Sequence, residues 1–296
     1  MKSFHPAGLL LVSIVLAGAC TVTLDSQSQM AREEKRFTVS GTPTVHLTTF
    51  DGSIEIHSWD RSDVLVEIEK RGPTREAVDA LEVRTSQNGN TIDLEVTRPQ
   101  GQSLTVFGFH ASASAKLIVS VPRRTDIRAR SGDGAIRIAR VDGRVELHTG
   151  DGSIRGEDVS GDLTLTTGDG SVTVEGAEGR LALETGDGSV NVTGKLGGVR
   201  LHTGDGSIVY RSQPGGRMDE DWDISTGDGS VTLYVPTEFG AELDAHTGDG
   251  TIRNDLKVED AGSGEPDRRT LKGRIGSGGR QLRIRTGDGA IRLRAL

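Results

Sequence analysis

Residues 145–190 read VELHTGDGSIRGEDVSGDLTLTTGDGSVTVEGAEGRLALETGDGSV. Gly-Asp-Gly recurs in this stretch at Asp151, Asp169 and Asp187, and over the whole chain at Asp133, Asp151, Asp169, Asp187, Asp205, Asp228, Asp249 and Asp288, with a degenerate Phe-Asp-Gly at Asp51. From Asp133 to Asp205 the aspartates keep one constant 18-residue step; the later steps are longer, and the widest gap lies between Asp51 and Asp133. Self-similarity at a fixed period is the mark of a repeat architecture, in which each unit buries its apolar face against the next.

The flanks repeat as faithfully as the glycines. Six and four positions before the aspartates stand pairs such as Val145 and Leu147, Leu163 and Leu165, and Leu181 and Leu183; three positions after stand Ile154, Val172 and Val190. Apolar residues two apart on each side of a tight turn give two short strands per unit, each with one buried face. A hairpin meander and a solenoid coil both satisfy this pattern. The constant 18-residue period favours the coil, because identical positions then stack in parallel rungs about 4.8 Å apart. The expectation is an all-β, flattened parallel β-solenoid with two main sheets. The Thr-Gly-Asp-Gly-Ser corners are expected to use their glycines for positive φ, and a second glycine corner falls at Gly143, Gly161, Gly179 and Gly197-Gly198.

Composition agrees. The 296 residues include 41 glycines but only 6 Phe, 2 Trp and 2 Tyr, which rules out a large aromatic core. No Gly-X-Y period exists, so the chain is not collagen-like. The formal charge of −8 offers no basic stripe for nucleic acid.

At the N-terminus, Lys2 precedes an apolar run, Gly8 to Leu16, and the small residues Ala17-Gly18-Ala19 lead to Cys20, the only cysteine. That is an export signal, too short to span a bilayer. It resembles the lipobox of bacterial lipoproteins, with Ala17 in the place usually held by Leu. The resemblance implies cleavage after residue 19, acylation of Cys20 (palmitate among the acyl chains) and a membrane-anchored envelope protein, sorted to the outer membrane in a two-membrane cell. Two or three acyl chains anchor firmly, at about 0.8 kcal/mol per buried methylene. The polar run from Cys20 to Arg36 reads as a tether.

The domain expected over residues 37–296 divides into an irregular part, 37–122, and regular repeats, 123–296, with an insertion at 255–279. Strands between Trp59 and Pro122 are expected to extend or cap the open end, with Asn88-Gly89 as a hairpin turn. The stretches Ser103–Ala115, with Phe107 and Phe109, and Asp255–Gly279 read as surface loops that leave room for binding.

Lys35-Arg36-Phe37-Thr38-Val39, Phe50-Asp51-Gly52-Ser53-Ile54, Trp59-Asp60, the Thr-Gly-Asp-Gly repeats and Gly273-Arg274-Ile275-Gly276-Ser277-Gly278-Gly279 resemble the bacterial putative-adhesin family of β-strand-repeat domains of unknown function. The resemblance covers residues 35–296 and implies the architecture. It carries over no catalytic or binding residue.

The chemically suggestive feature is the aspartate ladder. Carboxylates about 4.8 Å apart repel by about 1 kcal/mol per pair in water, which invites cations. Asp133, Asp151, Asp169, Asp187 and Asp205 are therefore candidate ligands for weakly held Ca²⁺, against the simpler account that each bonds backbone N–H groups of its own turn. The calcium nonapeptide repeat differs, its Asp following the glycines at both corners. A left-handed hexapeptide helix needs an aliphatic residue every six positions, which this sequence lacks. His148, His202 and His246 share one outward position; His148 and His202, three coils or about 14 Å apart, are too distant for one metal. No nucleophilic triad and no phosphate loop opening a helix is present. No cofactor or catalytic residue is assigned. The expected function is non-catalytic: an adhesin-like or structural scaffold presenting Thr, Ser, Asp and Arg columns to an envelope protein or polysaccharide. The alternative is a polysaccharide-acting β-helix enzyme of lyase type.

Overall fold

In the computed structural model, which describes residues 29–98, 105–106, 109–110, 113–260 and 268–296, each unit forms one coil of a parallel β-solenoid. The export signal, Cys20, the tether as far as residue 28 and Phe107 lie outside the described residues. The strand Asp142–Thr149 buries Val145, Leu147 and Thr149 and turns Glu146 and His148 outward; after the corner, Ile154–Glu157 buries Ile154 and Gly156. Parallel pairing at an 18-residue offset then aligns Val145, Leu163, Leu181 and Val199 in one column and Ile136, Ile154, Val172 and Val190 in another. The two columns face each other across a thin interior of Val, Leu and Ile. Each such side chain contributes roughly 1.5–3 kcal/mol on burial, repeated rung after rung.

Aromatic side chains gather at one place in this interior. Tyr210, Trp222 and Phe239 are buried together, with ring centroids 5.1 Å apart for the first pair and 5.4 Å for the second. They lie between Asp205 and Asp249, where the repeat spacing lengthens, and their bulk fills the wider coil. Burial pushes the Tyr210 hydroxyl up to about 12.

The rungs are not stacked in sequence order. Gln281–Thr286 lies between Trp222–Thr226 and Ala241–Thr247, and Ile291–Ala295 lies between Val231–Val235 and Ile252–Asn254. At the other end Thr44–Thr49 lies between Thr91–Thr97 and Asp126–Ser131, with Ile54–Trp59 likewise between Ser114–Pro122 and Ile136–Ala139. Both ends of the repeat domain thus supply interior rungs.

Glu82–Asn88 covers Thr91–Thr97 through the Asn88-Gly89 hairpin, and Asp63–Gly72 covers Ser114–Pro122, both antiparallel. Thr270–Ile275 covers Ala241–Thr247 in the same way. The tether is shorter than the sequence suggests, because Gln29–Thr38 is itself a strand, antiparallel to Asp63–Gly72. Its run of charges from Arg32 to Arg36 makes a poor template for further pairing, as edge strands require. The one helix among the described residues, Arg75–Asp79, is capped by the Thr74 hydroxyl, which accepts from the Ala77 N–H at 3.2 Å. It is far too short to cross a membrane.

The glycine corners need correction. None of the glycines flanking the repeated aspartates has positive φ; at the opposite corner Gly143, Gly161 and Gly179 do, at 156°, 114° and 110°, while Gly197 and Gly198 do not. At the Gly-Asp-Gly corner glycine is required by proximity instead: a Cβ on Gly170 would sit 2.1 Å from the Gly152 carbonyl oxygen of the adjacent coil.

Candidate functional site

The Gly-Asp-Gly corners form one continuous edge. In the regular coils each glycine before an aspartate donates its N–H to the equivalent glycine carbonyl of the adjacent coil, as Gly168 does to Gly150 and Gly186 to Gly168. Two positions before every repeated aspartate stands a hydroxyl residue: Thr49, Ser131, Thr149, Thr167, Thr185, Thr203, Thr226, Thr286 and Thr247 in spatial order, all of them buried. Thr203 Oγ1 donates to the Gly186 and Gly188 carbonyls, both at 3.0 Å, and accepts from the Gly206 N–H at 3.2 Å. Thr149, Thr167 and Thr185 donate to their own carbonyl pairs in the same manner. The hydroxyl column is present in the sequence as an unbroken series of Ser or Thr, but the charged residue between the glycines is the more conspicuous signal.

With the corner satisfied by threonine, the aspartates have no structural duty. Asp133, Asp151, Asp169, Asp187 and Asp205 are exposed and make no side-chain hydrogen bond or ion pair among the described residues, so the expected bonding of each Asp within its own turn does not occur. The structure brings these five together on consecutive rungs and continues the column through Asp228, Asp288 and Asp249. At the opposite end Asp51 is paired with Arg98 at 3.1 Å. Carboxylates one rung apart are separated by about twice a Ca²⁺–oxygen distance, so a cation between two rungs would touch one oxygen from each and take the rest of its shell from water. Among the described residues no group of three or more His, Cys, Asp or Glu side chains is arranged to hold a metal.

His148, His202 and His246 stand on the outward face of the first-strand sheet. His202 Nδ1 meets the Ser225 hydroxyl and His246 Nδ1 the Thr270 hydroxyl, each at 3.0 Å, which ties them to neighbouring strands. Most charges on this face are compensated between rungs: Arg128 and Arg130 reach Glu146 at 2.7 and 3.4 Å, Arg285 reaches Asp244 at 2.7 Å, and Arg283 reaches Asp223 at 3.8 Å. On the second-strand sheet the N-terminal end is similar. There Glu55 lies 2.9 Å from Lys116 and 3.2 Å from Arg137. Its hydrogen bond to Lys116, aided by Arg137, holds the carboxyl below the usual range against the opposing pull of partial burial.

The C-terminal half of that sheet differs. Arg211, Arg253 and Arg292 have no carboxylate partner among the described residues, and Arg294 reaches Asp255 only at 4.0 Å. The Arg211 guanidinium stacks 4.0 Å over the Tyr234 ring. A further cleft of about 790 Å³ opens at the N-terminal end between Trp59, Asp60, Arg61 and Arg123. Arg61 lies 5.0 Å over the Trp59 ring there, and the indole N–H donates to the Asp63 carbonyl at 2.9 Å.

A search of curated proteins returns no match. Among solved structures, the "Putative lipid binding protein" of Parabacteroides distasonis ATCC 8503 is similar at TM-score 0.51 and 13% identity, over 88% of this chain and 96% of that one. The "putative adhesin" of Bacteroides fragilis NCTC 9343 gives 0.41 and 11%, over 90% and 97%. The "putative cell adhesion protein" of Clostridium sporogenes ATCC 15579 gives 0.31 and 14%, over 90% and 100%. At 13% identity the likeness to the first of these is one of fold alone. The sequence profile that matches the chain spans residues 44–294, the whole stack of rungs from first to last, and on that match the protein belongs to the Toastrack DUF4097 family.

Proposed function

We propose that the protein is a non-catalytic binding scaffold of the bacterial cell envelope, anchored through acylated Cys20 and presenting its solenoid to an envelope protein or polysaccharide. The observation that carries this reading is the division of labour at the corners. Buried threonines hold the coils together, while the aspartates repeat rung after rung with no intramolecular role among the described residues and are left for solvent or a partner. A rigid stack with repeating exposed groups suits an extended partner, since each rung offers the same contact again. Ca²⁺ held between neighbouring members of the column Asp133 to Asp205 belongs to the same reading, as a bridge or as a charge neutraliser.

Palmitate labelling and detergent-phase partition of the wild-type chain against Cys20→Ser test the anchor, and both are expected to be lost in the variant. Cross-linking in intact cells followed by pull-down from envelope fractions tests the binding. Recovery of no partner under either condition counts against the scaffold, and depolymerisation of a uronate polymer by the pure protein would replace it with the lyase alternative.

A further inference from the structure

The arginines on the C-terminal half of the second-strand sheet are aligned by register. Arg211, Tyr234 and Arg294 occupy the same position on three successive rungs, and Thr232, Arg292 and Arg253 occupy the neighbouring position. Arg211 and Arg294 are therefore about 10 Å apart along the stack, Arg292 and Arg253 about 4.8 Å, and Arg292 and Arg294 about 7 Å along one strand. Arg211, Arg253 and Arg294 are exposed and Arg292 is half-buried. Stacking on Tyr234 fixes the plane of the Arg211 guanidinium and leaves its edge donors free. The four guanidinium groups have one carboxylate within 4.0 Å among the described residues, Asp255 beside Arg294, and the same column carries Glu175 two rungs before Arg211. Like charges gathered on a sheet face repel one another, and an anion lying on the stripe relieves that repulsion.

We infer that this stripe is the docking surface for an acidic polysaccharide, laid along the stack axis with its carboxylates on Arg211, Arg292, Arg294 and Arg253. This rests on the scaffold reading and names the chemistry of the partner. The two-rung spacing from Arg211 to Arg294 is of the order of one disaccharide, so a uronate polymer meets an arginine at each repeat. Thr232, Asn191 and Thr193 alongside supply hydroxyl and amide groups that sugar hydroxyls take. A nucleic acid fits less well: its charge density, one per about 1.7 Å of duplex, exceeds what four arginines match.

The test is co-sedimentation of the full chain, solubilised in detergent, with polygalacturonate. Dextran serves as the neutral polymer, and a DNA duplex as the other polyanion. Polygalacturonate is expected to retain the protein, more weakly as NaCl rises, and dextran is not. The triple variant Arg211→Gln/Arg292→Gln/Arg294→Gln is expected to bind about tenfold more weakly, three charge contacts acting together. Arg128→Gln, on the other sheet, is expected to bind as wild type. All three substituted arginines project from the sheet face, so an unchanged melting curve separates lost binding from lost folding. No retention on polygalacturonate, equal retention on dextran, an unaffected triple variant, or retention by DNA alone each overturns the stripe. If the variant fails here yet still captures an envelope component, the stripe stands as one of two contacts. If the wild type fails here but captures that component, the stripe is refuted and the scaffold reading survives.

Discussion

Thr203 Oγ1 donates to the Gly188 carbonyl at 3.0 Å, one coil away, while the Gly206 N–H donates back to Thr203 at 3.2 Å. One hydroxyl therefore closes its own corner and ties it to the next, and it is fully buried. Thr203→Val keeps the shape and removes the hydroxyl, leaving a buried carbonyl and N–H each short of a partner. The expected loss is about 1–3 kcal/mol in urea unfolding. Asp187→Asn, in the adjacent corner but without partners, is expected not to destabilise the fold, because it removes no hydrogen bond and relieves repulsion from two like charges.

Gly170→Ala places a methyl group 2.1 Å from the Gly152 carbonyl oxygen, a backbone atom that cannot swing aside. Destabilisation of roughly 1–3 kcal/mol or more is expected from such overpacking. Gly89→Ala is the informative comparison, since its φ is +60° but nothing lies within 4 Å of the added carbon. About 1 kcal/mol is expected there, from backbone strain alone. Equal melting temperatures for the two variants would refute the distinction between a crowded corner and a strained one.

Neutralising three consecutive carboxylates with Asp169→Asn, Asp187→Asn and Asp205→Asn removes repulsion of about 1 kcal/mol per neighbouring pair in water. The triple variant is expected to melt higher than wild type at low ionic strength, with the gap closing as salt is added. If the column holds Ca²⁺, millimolar CaCl₂ raises the wild-type melting temperature and raises that of the triple variant less, since Asp133 and Asp151 remain as a neighbouring pair. Calorimetry without heat and melting without a shift would remove Ca²⁺ from the account.

Lys116 and Arg137 hold the folded-state Glu55 carboxyl below its unfolded value. Its stabilising contribution is thus fully present above the unfolded pKa, about 4.3, and is lost as pH falls through the lower folded value. Glu55→Gln cannot titrate. The stability difference between wild type and variant is expected to shrink as pH is lowered from about 5 to 3, read by denaturant unfolding across that range. A difference independent of pH would show that the ion pairs contribute nothing.

The last rung in sequence is not the last in space, and this has a measurable consequence. Ile284 and Leu293 lie between other rungs, so their amides are expected to exchange with solvent as slowly as those of Leu165 and Val172 in the regular region. Deleting residues 281–296 removes the partners of both Trp222–Thr226 and Ala241–Thr247. The expected result is cooperative loss of the C-terminal coils rather than trimming of one end. Fraying of the C-terminal strand pair in hydrogen exchange would contradict the insertion.

The architecture was legible in the sequence because, in a parallel coil, the pairing register is the repeat period. Once Val145, Leu163 and Leu181 recur at one fixed interval, the strand pairs and the apolar columns follow from the spacing. The glycine excess likewise pointed to the corners, although spacing alone cannot separate a glycine needed for positive φ, such as Gly161, from one needed because a carbonyl lies against it, such as Gly170. That difference belongs to the distance between coils. The rung order at the two ends was also hidden, since an inserted rung obeys the same pattern as a consecutive one; which edge it joins depends on where a covering strand can return. The working parts of the corner followed the same rule. Sequence marked the aspartate as the residue of interest, while only the stacked structure shows that Thr203 carries the hydrogen bonds of its corner and that the exposed aspartates are not needed for them. The unpaired arginines appear for the same reason, because Arg211, Arg294, Arg292 and Arg253 are far apart in the chain and become one stripe only when their strands are laid side by side.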